Sequence, residues 1–329
     1  MRRVPRWTRR LFGPLLLIGL LVTLDAGAVI DRLSSVHFGW AGLALSVGIG
    51  QTLLSAWRWR YTAGRLGLDL PFGAALSEYY LAVFLNQVLP GGVLGDATRA
   101  WRHASRSGFG TSEAGSAMRA VLLERASGQI VMALVALASA FVILGRTNPS
   151  MLLPLGVAAV ALSALTWALG VRRLTHAPDP DGAGSILRRT LRDAHRALWD
   201  GRAMTVQIAT SAVIVGSYIL TYLWAARAIG VETSFLVLAP LVAPVLLAML
   251  IPLSVAGWGL REGAAAAMWV AVGMSATEGV AISVAYGAIV ALGTLPGAWF
   301  LAAGGHDASP GPAHARRSRS NSTSSPNAK

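Results

Sequence analysis

At 329 residues, 54% hydrophobic and 13% charged, with a mean hydropathy of +0.56, the chain is too apolar for a soluble domain, which carries about 25% charged residues. Its formal charge of +13 is almost all arginine, crowded into a few stretches, with Lys329 the sole lysine. That is the pattern of loops facing anionic lipid headgroups, and it leaves no folded basic domain to bind nucleic acid. With no cysteine, disulfides, thiolate catalysis and cysteine metal sites are excluded.

Residues 1–10 hold Arg2, Arg3, Arg6, Arg9 and Arg10, and an apolar run from Leu11 to Ile30 follows, ending near Ala26-Gly27-Ala28. This start imitates a secretory signal. The run is long and further spans follow, so it reads as a retained first helix with its basic end in the cytoplasm. The other apolar windows fall at about 38–57, 72–89, 118–144, 151–170, 206–226, 235–251, 262–277 and 279–303, several near the ~20 residues a helix needs to cross the hydrocarbon core. Trp7, Trp40, Trp57, Trp59, Trp101, Trp167, Trp224 and Trp299 sit at or near segment ends, as interfacial belts require; none is assigned to chemistry.

Orientation follows from arginine. The basic segments are 1–10, 58–65, 99–106, 172–202 and 316–329, whereas 31–37, 145–150 and 227–234 hold one arginine apiece. If every window crossed fully, both the 99–106 and the 172–202 arginines would be exported, against the positive-inside rule. If 72–95 instead enters from the cytoplasm, turns at Pro90-Gly91-Gly92 and leaves on the same side, every basic segment becomes cytoplasmic. Irregular backbone at membrane depth is tolerated only where protein buries it or where it lines a polar cavity. The break Asn86–Arg99, edged by Asp96 and Arg99, is therefore a candidate working site.

A related constellation returns at Pro252-Leu253-Ser254-Val255-Ala256-Gly257-Trp258-Gly259-Leu260-Arg261-Glu262-Gly263. The two breaks read either as halves of an inverted repeat, whose discontinuous helices meet at a binding site, or as ordinary proline kinks between full spans. In the linker 171–202, residues 186–199 place apolar residues at helical spacing between arginines, an interfacial helix or a solvated connector. The tail from Gly304, rich in Ser, Pro, Arg and Asn, is expected to be disordered.

Leu89-Pro90-Gly91-Gly92 with Gly95-Asp96 and Arg99, then Glu124-Arg125, then Gly257-Trp258-Gly259-Leu260-Arg261-Glu262-Gly263 resemble the motifs of the lysylphosphatidylglycerol synthase transmembrane region, or flippase-like, family. The resemblance spans roughly residues 10–303, with Leu94 and Ala256 standing where that family often has glycine. It implies a membrane domain that moves aminoacylated phosphatidylglycerol or another lipid between leaflets. Only a short tail follows residue 303, so the aminoacyltransferase domain that makes such a lipid is expected to be absent.

Charged side chains at membrane depth are costly and so are paired or face water. Asp96 and Arg99 lie about one turn apart, a spacing that allows an ion pair. Glu124 and Arg125 point to different faces, so each needs a partner elsewhere: Asp96 suits Arg125, and Arg261 suits Glu124. Arg261 and Glu262 share that geometry and that need. Arg99, Arg125 and Arg261 would meet a lipid phosphate bidentately, and Asp96, Glu124 and Glu262 would balance them or bind a cationic headgroup. The rival is a set of structural ion pairs. The backbone breaks fall at Pro90, Gly91, Gly92, Gly95, Pro252, Gly257 and Gly259, and the N–H groups freed at Gly91, Gly92, Gly257 and Gly259 would add donors. Asn86 and Gln87 would line the cavity or bond neighbouring helices, while Glu78 and Arg119 near segment ends would snorkel.

The expectation is an all-α polytopic membrane protein, a bundle of about seven to nine membrane segments with two broken or re-entrant helices and an inverted repeat left open. Its parts are a basic cytoplasmic N-terminus 1–10, a transmembrane domain 11–303 containing the basic linker 171–202, and the tail 304–329. It is expected in the bacterial cytoplasmic (inner) membrane, multi-pass, both termini cytoplasmic. It would bind and translocate a phospholipid or lipid-linked molecule, with anionic inner-leaflet lipids as further partners. No catalytic residues, metal or cofactor are assigned. The alternatives are a non-transporting partner of a lipid-modifying or glycolipid-synthesis enzyme and, more weakly, an intramembrane transferase using Asp96 or Glu262 as base.

Overall fold

A computed structural model describes residues 18–20, 22, 26–89, 94–106, 111–147, 183–250 and 254–304. Its helices are α1 (Ala26–Ser34), α2 (Phe38–Arg65), α3 (Phe72–Val88), α4 (Leu94–Arg106), α5 (Thr111–Thr147), α6 (Ala183–Ala194), α7 (Gly201–Ala228), α8 (Phe235–Leu247), α9 (Leu260–Ala271), α10 (Ala276–Thr294) and α11 (Pro296–Gly304). A π-turn, His195–Trp199, joins α6 to α7, and a 3-10 turn, Ala248–Leu250, extends α8. The expected spans 11–30 (in most of its length) and 151–170, the first part of the linker and the tail lie outside the described residues.

Among the described residues, four helical stretches are long and apolar enough to cross a membrane: Phe38–Arg65, Gly115–Gly145, Gly201–Ala228 and Ala276–Ala302. At about 1.5 Å per residue the 28 residues of α2 extend roughly 42 Å, comfortably more than the ~30 Å hydrocarbon core. Large apolar side chains on their outer faces, such as Leu53, Leu134, Val213 and Leu292, remain exposed. Bilayer is the solvent such a surface needs. The interior is filled by Tyr222, Leu238, Leu241, Trp269 and Ile282 on α7 to α10, and by a second cluster around Trp59, Ala75 and Val121.

Three further described helices are at or below the shortest length that spans the hydrocarbon core, about 17 residues. α3 has 17 residues, α8 has 13 and α9 has 12, roughly 25, 20 and 18 Å. α3 packs against α4 and α8 against α9, so each pair doubles back as a hairpin. Of the two readings left open for 235–277, the short paired arms fit the re-entrant one better than independent spans at 235–251 and 262–277: α9 ends at Ala271, and a turn leads into α10. Length is the physical reason, since neither arm reaches both interfaces.

Helix ends fall on two rims. On one, Arg65 bonds the Arg196 carbonyl and the Asp200 carboxylate, and Arg119 meets Asp193 at 2.6 Å; Arg60, Arg102, Arg189 and Arg192 belong to the same rim. On the other, the His37 N–H donates to the Ala228 carbonyl at 2.8 Å, and Arg32 faces Glu278 at 3.7 Å. The α3–α4 hairpin starts from the basic rim and the α8–α9 hairpin from the opposite one, so the two tips approach each other inside the bundle.

Two side chains expected to snorkel are instead tied down. Glu78 is buried and takes both oxygens to Arg102 Nε at 3.0 and 2.9 Å, while Arg119 holds α6 to α5 through Asp193. That second pair is mostly buried, with side chains 12% and 15% exposed, so removing one partner costs more than at a solvated surface pair. Asp193→Asn is accordingly expected to lower the melting temperature of the detergent-solubilised protein. An unchanged melt would show that this pair does not hold α6 to the bundle. Trp40, Trp57, Trp101 and Trp299 are exposed as interfacial residues should be, but Trp59 is buried in the interior.

Candidate functional site

The first charge cluster starts at the tip of the α3–α4 hairpin. The Gly95 N–H donates to Asn86 Oδ1 at 2.8 Å, and Asn86 Nδ2 reaches Asp96 Oδ2 at 3.3 Å. These bonds pin the first turn of α4 to the last turn of α3. The contact is so close that a Cβ at Gly95 would overlap the Ala82 carbonyl oxygen. Glycine here is a requirement of the backbone approach.

Asp96 lies in the first turn of α4, where the helix dipole favours a carboxylate. It meets Arg99 Nη2 at 3.0 Å and Arg125 Nη2 at 2.8 Å. Glu124 takes Arg99 on one oxygen at 2.8 Å and Arg58 on the other at 2.5 Å, and Arg58 also donates to Ser211 Oγ at 2.8 Å. The Arg99 guanidinium is held between the rings of Trp59 and Tyr79, 4.7 and 4.6 Å from their centroids, a cation–π sandwich. The cluster ties α2, α4, α5 and α7 together and carries one more positive charge than negative. The sequence pairing of Asp96 with Arg125 is the one found; that of Glu124 with Arg261 is not, because Arg58 and Arg99 occupy the Glu124 carboxylate.

The second cluster starts at the tip of the α8–α9 hairpin. Ala256, Gly257 and Gly259 have φ of 52°, 80° and 83°, left-handed backbone that suits glycine and turns the chain into α9. The Gly259 N–H donates to Glu262 Oε2 at 2.6 Å. Curling back to cap the helix brings the other Glu262 oxygen to Arg261 Nη2 at 2.6 Å, and Ser283 Oγ bridges the pair at 2.9 and 3.0 Å. Arg261 and Glu262 therefore satisfy each other, contrary to the expectation of separate partners. Adjacent residues diverge along a regular helix, but the capping bend of Glu262 defeats that rule. The Arg261 guanidinium is further walled by Trp258 and Tyr286, 5.0 and 5.3 Å from the ring centroids.

A cavity of about 300 Å³ lies between the tips. It follows α2 from Ala44 to Arg58, roughly 21 Å of helix. Asn86 and Gln87 line it from one hairpin, Ser254 and Gly257 from the other, and Tyr218 and Tyr286 from α7 and α10. Arg58 and Arg125 are the charged side chains on its wall. Asp96, Arg99, Glu124, Arg261 and Glu262 stand behind that wall, buried. Among the described residues no hydrogen bond or ion pair joins the two clusters, although both hairpins border the one cavity. Pro90, Gly91, Gly92 and Pro252 lie outside the described residues. Among those described, no His, Cys, Asp and Glu group could hold a metal ion.

Arg58 is the functional candidate that the sequence reading missed. It was grouped with Arg60 and Arg65 as a loop charge, but α2 runs unbroken to Arg65, placing Arg58 about two turns inside the helix. The signal was present: no helix breaker occurs between Trp57 and Gly64.

Fold and site together define a multi-pass helical membrane protein in which two facing hairpins border a largely apolar cavity that carries two arginines and is flanked by buried arginine–carboxylate clusters. Residues 10–297 match the family model described as lysylphosphatidylglycerol synthase TM region. The chain belongs to that family through its membrane region. No curated protein and no solved structure matches it.

Proposed function

We propose that the chain binds the headgroup of a phospholipid or lipid-linked molecule in the cavity between the hairpin tips and passes it between leaflets. The observation that carries this reading is the pair Arg58 and Arg125 on the wall of a ~300 Å³ cavity among helices long enough to span a bilayer. A guanidinium matches phosphate oxygens, and the acyl chains would remain in the lipid that bathes the outer faces. Arg125 is the more accessible contact: its side chain is 32% exposed, whereas that of Arg99 is fully buried. Asp96, Glu124 and Arg99 hold the two cavity arginines in place, and Arg261 with Glu262 fixes the second tip around Gly257 and Gly259. The opposed hairpins support the inverted arrangement used by transporters with discontinuous helices. By the positive-inside rule the basic rim and both termini face the cytoplasm of a bacterium, against anionic lipids of the inner membrane.

Arg125→Gln removes one of the two cavity charges and keeps a shorter, polar side chain. In liposomes containing a fluorescent short-chain phospholipid, transbilayer movement followed by surface quenching should fall by about tenfold or more, with an unchanged size-exclusion profile. Movement at the wild-type rate would sink the site. Lipid binding by the wild-type protein without any movement would favour the non-transporting partner instead.

A further inference from the structure

The polar groups on the cavity wall are unevenly chosen. Both charges on it are arginines, and no carboxylate of the described residues reaches it. The nearest acids are spent: Glu124 is fully buried between Arg58 and Arg99, and Asp96 between Arg99, Arg125 and Asn86. The uncharged groups have capacity to spare. Gln87 and Gln129 have no hydrogen-bond partner among the described residues, and the Thr221 and Ser254 hydroxyls are buried against the cavity without one. Arg58 Nε and Arg125 Nε are likewise buried and unpartnered. Leaving such groups unsatisfied is costly; the amides and hydroxyls can donate or accept, but the two guanidinium N–H groups can only donate, so they call for a ligand that brings acceptors and negative charge.

We infer that the cavity selects a headgroup bearing phosphate and hydroxyls with no amine, and rejects an aminoacylated, cationic one. This rests on the reading of the cavity as a headgroup site. An aminoacyl lipid also has a phosphate for the arginines, but its ammonium group would be desolvated beside Arg58 and Arg125 with no free carboxylate to receive it. Like charges brought together at low dielectric discriminate strongly against such a ligand. A phosphatidylglycerol-type headgroup meets the arginines with its phosphate and the amides and hydroxyls with its diol.

Binding, rather than movement, is the readout that isolates this inference. Purified protein in a neutral maltoside detergent is titrated calorimetrically with short-chain phosphatidylglycerol, short-chain lysylphosphatidylglycerol, short-chain phosphatidylcholine and glycerol phosphate. Phosphatidylglycerol should bind about tenfold or more tightly than either amine-bearing lipid, and Arg125→Gln should abolish that preference. Gln87→Glu places a carboxylate on the wall from α3, a helix that carries neither cavity arginine, and should shift the preference toward the lysyl lipid. Competition by glycerol phosphate would identify the soluble headgroup as sufficient; its failure to compete would make the acyl chains part of the ligand. Equal or tighter binding of the lysyl lipid by the wild-type protein, or a Gln87→Glu variant with unchanged preference, would overturn the inference. The preference can hold in a protein that never moves lipid, and movement can occur without it, so the two readings fail separately.

Discussion

Glu124→Ala is expected to lose about 3–5 kcal/mol of stability, the cost of breaking a buried ion pair from one side. The carboxylate is fully buried and is bonded to both Arg58 and Arg99. Truncation leaves two guanidiniums facing each other without the charge that separates them, on helices α2 and α4 that the carboxylate joins to α5. The variant should show an early, broad thermal transition in mild detergent and a raised aggregated fraction on size exclusion. Glu124→Gln keeps the volume and one acceptor oxygen but not the charge, and should fall between the two. A Glu124→Ala protein melting with the wild type would mean that water or lipid compensates the arginines, and that the cluster does not hold the helices.

Gly95→Ala is the second large effect. The added methyl would overlap the Ala82 carbonyl oxygen, a backbone atom that can move only if α3 and α4 separate. Overpacking of this kind costs about 1–3 kcal/mol, and the backbone clash puts this case at the upper end. Separation would also break the Gly95–Asn86 bond and shift Asp96 away from Arg125, so headgroup binding should weaken along with stability. Gly216→Ala is the control: on α7 its methyl meets nothing within 4 Å, and helix propensity favours alanine by up to about 1 kcal/mol. Thermal melts of the two variants side by side should move in opposite directions. A Gly95→Ala melt that matches the control would show that the hairpin tolerates a wider spacing.

Much of this architecture could be read from residues. Apolar windows cover the four long spans, and the distribution of arginine favours reading 72–95 as a hairpin. The motif around Pro90 and that around Gly257 marked the two tips, and charge spacing gave the Asp96–Arg99 and Asp96–Arg125 pairs. What failed did so for local reasons. Arg58 was hidden because a charge near the end of an apolar window looks like a loop residue, although its helix continues. The Arg261–Glu262 pair was hidden because the capping bend of Glu262 overrides the angular spacing of a regular helix. Trp59 was read as interfacial because most tryptophans at segment ends are. Its burial depends on Arg99, which arrives from a helix 40 residues away in sequence.

The absence of any ion pair between the two clusters has a mechanical meaning. Each cluster is electrostatically self-contained within its own side of the cavity: one gathers α2, α4, α5 and α7, the other closes α9 on α10. Between the described residues of the two clusters no hydrogen bond or ion pair is made, so moving one relative to the other separates no buried charge pair. What opposes such motion is apolar packing, in the core that α7 to α10 share with α2 and α5.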